Sequence, residues 1–216
     1  MTSLIDIAAL KASDVAHAPF DHVVVRNFVS PAALARVVAD LPDIAAGGSF
    51  PTDALRLGPA AAALMDEMAG IPLQGAIATK FGLKLDGAPT MVTLRGRSRE
   101  KDGRIHRDSD SKRVTVLLYL NPASAEWATK GGSLRLLRND TDIEAYEVEV
   151  PPTDGTLLVF PNGPATWHGH KQHVGKRYVI QLNYMTADAR ARQELRRHRW
   201  SAMVKRLTGA ATRKAA

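Results

Sequence analysis

The sequence predicts a mainly β protein, a closed sandwich or barrel with helices ahead of it and one helix behind it. Three observations carry this reading. Between residues 89 and 186, short apolar or alternating runs are separated by turn residues, at spacings that suit a closed all-β architecture rather than alternating strand–helix units. Helical periodicity is confined to the stretches before and after. The chain has 216 residues, 45% apolar and 24% charged, so it can bury a sizeable core, and one domain of this length is ordinary for a barrel or sandwich. The expected organisation is a single domain, 1–216, with a helix-and-strand support region over 1–88, a β core over 89–186 and a basic C-terminal helix over 187–216.

In the first region, His22-Val23-Val24-Val25-Arg26-Asn27-Phe28 is rich in β-formers. Ser30-Pro31 reads as a helix start, because serine caps and proline suits the first helical position. Leu34, Val37, Val38 and Leu41 then recur at i, i+3, i+4 and i+7, one helical face, before Pro42 ends it. Gly58-Pro59 opens an alanine-rich helix to about Met68, and Pro72 to Phe81 forms another with Gly82 just past its end. In the β core, strands are expected near 90–95, 104–108, 114–120, 133–138, 143–150, 155–160, 165–168 and 177–184. In the last region, Trp200, Met203, Val204 and Leu207 form an apolar stripe that must bury against the barrel or a second copy, so a homodimer is compatible with it.

Composition removes several classes. With no cysteine there is no disulfide scaffold, thiolate metal site or thiol nucleophile. No apolar run approaches about 18 residues, so no membrane span is expected. Met1 to Ser13 lacks a cationic start and an unbroken apolar stretch, so a cytoplasmic protein is expected. The net charge of +7 comes from 187–216, with nine Lys/Arg against two Asp/Glu; the rest is neutral, with twenty of each sign. This tail reads as a solvated helix end, and nucleic acid is not expected as a partner.

The chemistry centres on His106-Arg107-Asp108. Alternation in a strand puts His106 and Asp108 on one side and Arg107 on the other. A third ligand must come from elsewhere, and Trp167-His168-Gly169-His170 offers two imidazoles. Two histidines and one carboxylate on one face of a metal leave the other face open, the arrangement of non-haem Fe(II) oxygenases. An extended strand would put His168 and His170 on the same side, so which one binds is not forced. Arg177 lies nine residues beyond His168 in an expected strand, and a planar guanidinium grips a carboxylate with two hydrogen bonds.

Taken together, His106-X-Asp108, the run Val114-Thr115-Val116-Leu117-Leu118-Tyr119-Leu120-Asn121, Gly131-Gly132-X-Leu134 and His168 with Arg177 at +9 resemble the 2-oxoglutarate/Fe(II)-dependent dioxygenases, most closely the prolyl-4-hydroxylase-type branch. The motifs cover about 90–186. The resemblance implies a double-stranded β-helix (jelly roll) with flanking N-terminal helices. It implies His106, Asp108 and His168 as Fe(II) ligands, the +9 spacing favouring His168 over His170, which then becomes a supporting or substrate contact. Arg177 would hold the distal carboxylate of 2-oxoglutarate, with Tyr119 donating its hydroxyl to the same group and Thr93 as a substitute donor. The implied activity is O₂-dependent hydroxylation of a small-molecule or peptide substrate with release of succinate and CO₂, with ascorbate as an accessory reductant.

Two positions depart from relatives. Where some carry Arg-X-Ser, this chain has Val179, and where the nucleic-acid demethylase branch has a second arginine six residues after the first, it has Asn183. Arg95, Arg97 and Arg99 alternate with Thr93, and Arg95 is a candidate contact for an acidic substrate. The segment 97–103 and the loop 122–130 with Trp127 flank the motif strands, where specificity loops usually lie. The rival readings are a non-catalytic cupin-like metal-binding or sensor protein, a zinc hydrolase using the same ligands, and a nucleic-acid-modifying oxygenase guided by the basic tail.

Overall fold

The computed structural model describes residues 3–123, 127, 131–189, 191–193 and 196. In chain order these form α1 (Ile7–Ala12), β1 (Val23–Val25), α2 (Pro31–Ala39), β2 (Phe50–Pro51), α3 (Pro59–Ala69), α4 (Ile71–Phe81), β3 (Thr90–Ser98), β4 (Lys112–Tyr119), β5 (Leu134–Leu137), β6 (Tyr146–Val150), β7 (Leu157–Pro161), β8 (His168–His170) and β9 (Gly175–Met185). The strands make two antiparallel sheets: a major one in the order β1-β7-β4-β9-β3-β2 and a minor one in the order β6-β5-β8. This is the expected mainly β jelly roll with helices on one side.

The major sheet is buried on both faces. Its outer face joins the helices in one apolar cluster: Leu34 and Val37 of α2, Leu64 and Met68 of α3, and Leu73 and Ile77 of α4 gather with Val116, Leu118, Ile180 and Leu182. Its inner face meets the minor sheet through Leu117, Tyr119, Leu158, Phe160 and Val179 against Leu134, Leu136 and Val150. That explains why β4 reads as an almost continuous apolar run instead of a clean alternation. In β9 the alternation survives: Tyr178, Ile180, Leu182 and Tyr184 belong to the helix-side cluster, while Arg177, Val179, Gln181 and Asn183 occupy the opposite face.

Local signals set the helix ends. The Ser30 hydroxyl accepts from the Ala33 N–H at 3.3 Å with Pro31 in the first turn, and Gly82 ends α4 in the left-handed conformation at φ 63°. Gly58 starts α3 without a capping side chain, and the Asp40 carboxylate takes over by accepting from the Ala60 N–H at 2.5 Å. Asn121, just past β4, donates to the carbonyls of Pro152 at 2.5 Å and Tyr178 at 3.0 Å and accepts from the Tyr178 N–H at 2.7 Å, locking the end of β4 to β9.

The structure corrects two strand expectations. Residues 104–108 are not a ladder strand; only His106 pairs, with His168. The Arg104 carbonyl accepts from the His106 ring at 2.9 Å, and the His170 N–H donates to Gly103 instead, so the register breaks one residue away. The strand expected over 165–168 runs over His168–His170, because the Thr166 hydroxyl closes a turn onto the Asn162 side chain and the Gly163 carbonyl. Two short elements, α1 and β2, carried no clear periodicity; α1 is set by the Asp6 carboxylate accepting from the Ala9 N–H at 2.8 Å. The stripe from Trp200 to Leu207, with the C-terminal helix and the homodimer inferred from it, lies outside the described residues. No helix among the described residues is long and apolar enough to cross a membrane.

Replacing Asn121 by alanine leaves the Tyr178 N–H and the Pro152 carbonyl without the Asn121 side chain, while the Tyr178 carbonyl keeps only its bond from the Leu120 N–H. The variant is expected to lose about 2–4 kcal/mol, read as a lower urea midpoint at unchanged slope; a midpoint equal to that of the parent would show that water replaces the network at no cost.

Candidate metal and co-substrate site

The inner faces of β3, β4, β8 and β9 enclose a cavity of about 100 Å³, lined among others by Arg95, Thr115, Tyr119, His168, His170, Arg177 and Gln181. Alternation puts these polar residues inside a sandwich that is otherwise apolar.

At one end, one ligand atom each from His106, Asp108 and His168 lie within 4.8 Å of one another. The two histidines come from segments far apart in sequence and are fastened by reciprocal backbone hydrogen bonds of 3.0 and 2.9 Å, with ring centroids 4.3 Å apart. His106 is exposed, whereas Asp108 and His168 are buried. In both imidazoles Nδ1 faces a carbonyl two residues upstream at 2.9 Å, Arg104 for His106 and Thr166 for His168. A carbonyl can only accept, so Nδ1 carries the proton and Nε2 presents a lone pair, the form a metal requires. Burial, reinforced by the neighbouring His106, pushes His168 down to about 4, so its ring is neutral near pH 7.

Asp108 is held from both sides. The Lys112 ammonium donates to Oδ1 at 2.5 Å and the Thr115 hydroxyl donates to Oδ2. Asn183, fully buried on β9, donates in turn to the Thr115 oxygen at 3.0 Å. Burial works to raise the Asp108 carboxyl, but the Lys112 charge, His168 and these hydrogen bonds outweigh it, so the group stays below the usual carboxylate range and ionised. Arg107 points away and pairs with Asp110 at 2.6 Å.

At the other end lies Arg177, only 4% exposed. Its Nε donates to the Gly132 carbonyl at 3.0 Å, and its guanidinium carbon sits 5.4 Å from the centre of the Tyr119 ring. No carboxylate pairs with it among the described residues. The Tyr119 hydroxyl is fully buried and has no hydrogen-bond partner in good geometry among them. Burial raises the Tyr119 hydroxyl above its ordinary value despite the nearby cation, so it stays a donor. A buried cation and an orphaned hydroxyl side by side are costly unless an anion completes them. Two imidazoles and a carboxylate at one end and this pair at the other fit a divalent metal and a dicarboxylate bridging from it.

The structure thus brings His106, His168, Tyr119 and Arg177 to one cavity, with Asp108 clustered beside the two histidines. Thr93 is buried on the face of β3 that Arg95 shares, opposite Gln181, but it is not among the cavity-lining residues. His170 also lines the cavity but is not part of the three-residue cluster; burial and the Arg177 charge push it down to about 4. Sequence reading missed Lys112 and Thr115 as partners of Asp108 and Asn183 as the partner of Thr115, although the polar Thr115 within an apolar run was a visible signal. Trp127 is half-buried and stacks on His173 at 4.8 Å.

Residues 96–185 match the family model described as the 2OG-Fe(II) oxygenase superfamily. The fold is similar to a prolyl-4-hydroxylase from Pseudomonas putida, at 19% identity over 83% of this chain and 97% of the other, with a TM-score of 0.55. It is also similar to prolyl 4-hydroxylases from Phytophthora capsici, at 17% identity over 96% and 77%, with a TM-score of 0.58. A third likeness is to a viral collagen prolyl hydroxylase from Paramecium bursaria Chlorella virus-1 in its 2OG complex, at 11% identity over 77% and 96%, with a TM-score of 0.52. No curated protein matches the chain significantly. Over residues 96–185 the chain is therefore similar to the 2OG-Fe(II) oxygenase superfamily, which uses Fe(II) and 2-oxoglutarate. It is an enzyme of the dioxygenase class, built on the fold of the prolyl-4-hydroxylase type.

The neutral histidines give a pH prediction. His170 has a folded-state value of about 4 against an ordinary 6.5, so the unfolded chain binds more protons between those values. Stability of the metal-free protein is expected to be full above about pH 6.5 and to fall as pH drops towards 4. Urea midpoints at pH 7.5, 6 and 5 check this, and His170→Gln should flatten the slope; an unaltered slope in that variant would assign the dependence elsewhere.

Proposed function

We propose that His106, Asp108 and His168 hold Fe(II), that Arg177 and Tyr119 grip the distal carboxylate of 2-oxoglutarate, and that the chain hydroxylates a small-molecule or peptide substrate while producing succinate and CO₂. The observation that supports this reading is a three-donor cluster at one end of the cavity and, at the other, a buried guanidinium with no carboxylate partner among the described residues. Bound there, the iron and the 2-oxo acid supply O₂-dependent insertion of one oxygen atom into a C–H bond, the other oxygen entering the succinate formed on loss of CO₂.

The chain's own residues do the rest. Arg104 and Thr166 fix the imidazole tautomers through their carbonyls, so both Nε2 lone pairs face the ion. Thr115 and Lys112 orient the Asp108 carboxylate, and Asn183 fixes the Thr115 hydroxyl. Arg177 supplies a fixed cation and Tyr119 one O–H donor, and the apolar wall of Leu117, Leu134 and Val179 excludes water from the space between.

Arg177→Ala is expected to raise the KM for 2-oxoglutarate by about 10²–10³-fold, the loss of a buried charged contact, with metal affinity within about threefold of the parent. An unchanged KM would defeat the co-substrate assignment. Thr115→Val removes the donor to Asp108 and the acceptor for Asn183 at constant shape. It is expected to weaken Mn(II) binding, measured by electron paramagnetic resonance of the free ion, by about tenfold or more. Equal affinity would show that Lys112 alone orients the carboxylate.

A further inference from the structure

On the reading above, the cavity holds one cation more than the metal and 2-oxoglutarate use. Lys112 is committed to the Asp108 carboxylate, and Arg177 to the distal carboxylate of the co-substrate. Arg95 remains. It projects from β3 into the same cavity, with a side chain 28% exposed, so it stands where the cavity meets solvent. Its charge is felt inside, where it opposes protonation of both Arg177 and His170.

Arg95 is poorly matched by its neighbours. Its nearest carboxylate, Asp102, stands 3.8 Å from the guanidinium, too far for a hydrogen bond. Asp102 is already committed: it accepts from the Arg99 N–H at 2.9 Å and from two guanidinium nitrogens of Arg99 at 3.3 and 3.2 Å. The other contact of Arg95 is a long one, 3.4 Å to the Ser49 hydroxyl. The three charges of Arg95, Arg99 and Asp102 therefore leave one positive charge, and it belongs to the residue facing the cavity. Gln181, on the neighbouring strand β9, lines the cavity too and adds an amide that makes no hydrogen bond among the described residues.

We propose that Arg95 is the subsite for an anionic group of the prime substrate, a carboxylate, with Gln181 as its polar neighbour. The substrate class is then an acid: a free small acid, a chain-terminal carboxylate or an acidic side chain. A half-buried guanidinium offers a planar pair of donors that matches a carboxylate in two hydrogen bonds and cannot be satisfied by an amide in the same way. The inference rests on the metal and co-substrate reading above.

The test uses the full chain loaded with Mn(II) and saturating 2-oxoglutarate under argon. Two acid–amide pairs serve as probes: N-acetylglycine with its amide, and the α-amide of N-acetylglutamate with that of N-acetylglutamine. The relaxation of the acetyl methyl protons by Mn(II) reports binding beside the metal. At least one acid is expected to show saturable enhancement with a dissociation constant tenfold or more below that of its neutral partner. Enhancement by the first acid points to a free or terminal carboxylate, and by the second to an acidic side chain. Arg95→Gln should erase the preference and leave the 2-oxoglutarate dissociation constant within twofold, while Arg95→Lys keeps the charge and part of the preference. Equal relaxation by acid and amide, or none by either, overturns the proposal. So does a tenfold loss of 2-oxoglutarate affinity in Arg95→Gln, which would assign this guanidinium to the co-substrate. If the parent binds Mn(II) but no 2-oxoglutarate, the oxygenase reading falls and this one falls with it; if it binds 2-oxoglutarate without preferring acids, this one falls alone.

Discussion

The structure depends on a single backbone pairing. His106 and His168, 62 positions apart in the chain, exchange both of their peptide hydrogen bonds, and nothing beyond that pair continues the ladder. The pairing fixes the two imidazoles at a separation that side-chain freedom alone could not hold, and each ring is then turned by a carbonyl two residues upstream. The geometry of the histidine pair is thus inherited from main-chain hydrogen bonds, whose positions are far less variable than those of rotamers. On the Arg104 side the register breaks within the same arrangement: the His106 ring bonds the Arg104 carbonyl, and the His170 N–H donates to the Gly103 carbonyl in its place.

The second constraint is a buried charge. Arg177 sits in the middle of the molecule on β9, flanked by Val179, a member of the apolar layer between the sheets. A guanidinium with one carbonyl for company and an orphaned phenol beside it is poor material for a core. The fold tolerates it because the opposite faces of β4 and β9 are anchored by a large apolar cluster shared with three helices. A stable outer layer lets the inner layer carry groups that only a bound anion satisfies.

Much of this was legible before any coordinates. The helix over Pro31–Ala39 follows from its Ser-Pro start and its apolar spacing, and the end of α4 from Gly82. The ladder strands β3, β4, β5, β7 and β9 fall close to where alternation and apolar runs put them. The histidine–aspartate pair, the distant histidine and the arginine were all visible as residue types at spacings. What sequence could not supply was register. That Thr115 meets Asp108 and Asn183 meets Thr115 depends on β4 and β9 pairing Thr115 with Asn183, a relation no local pattern encodes. That His168 and not His170 clusters with His106 and Asp108 depends likewise on a pairing distant in sequence, that of His106 with His168.

The two departures from the relatives' motif acquire a physical meaning together. At the second position after Arg177, where a hydroxyl is found in some relatives, Val179 joins the apolar cluster between the sheets. Val179 offers no donor, and beside the guanidinium stands the Tyr119 phenol, fully buried and without a hydrogen-bond partner among the described residues. At the sixth position, Asn183 replaces what would be a second cation. Its amide donates to Thr115, which donates to Asp108, so this end of β9 is spent on holding a carboxylate rather than on meeting a polyanion. One strand face therefore divides its labour by position: Arg177 at one end stands beside the Tyr119 phenol, and Asn183 at the other holds Asp108 through Thr115. Gln181 between them is left open to whatever third molecule enters.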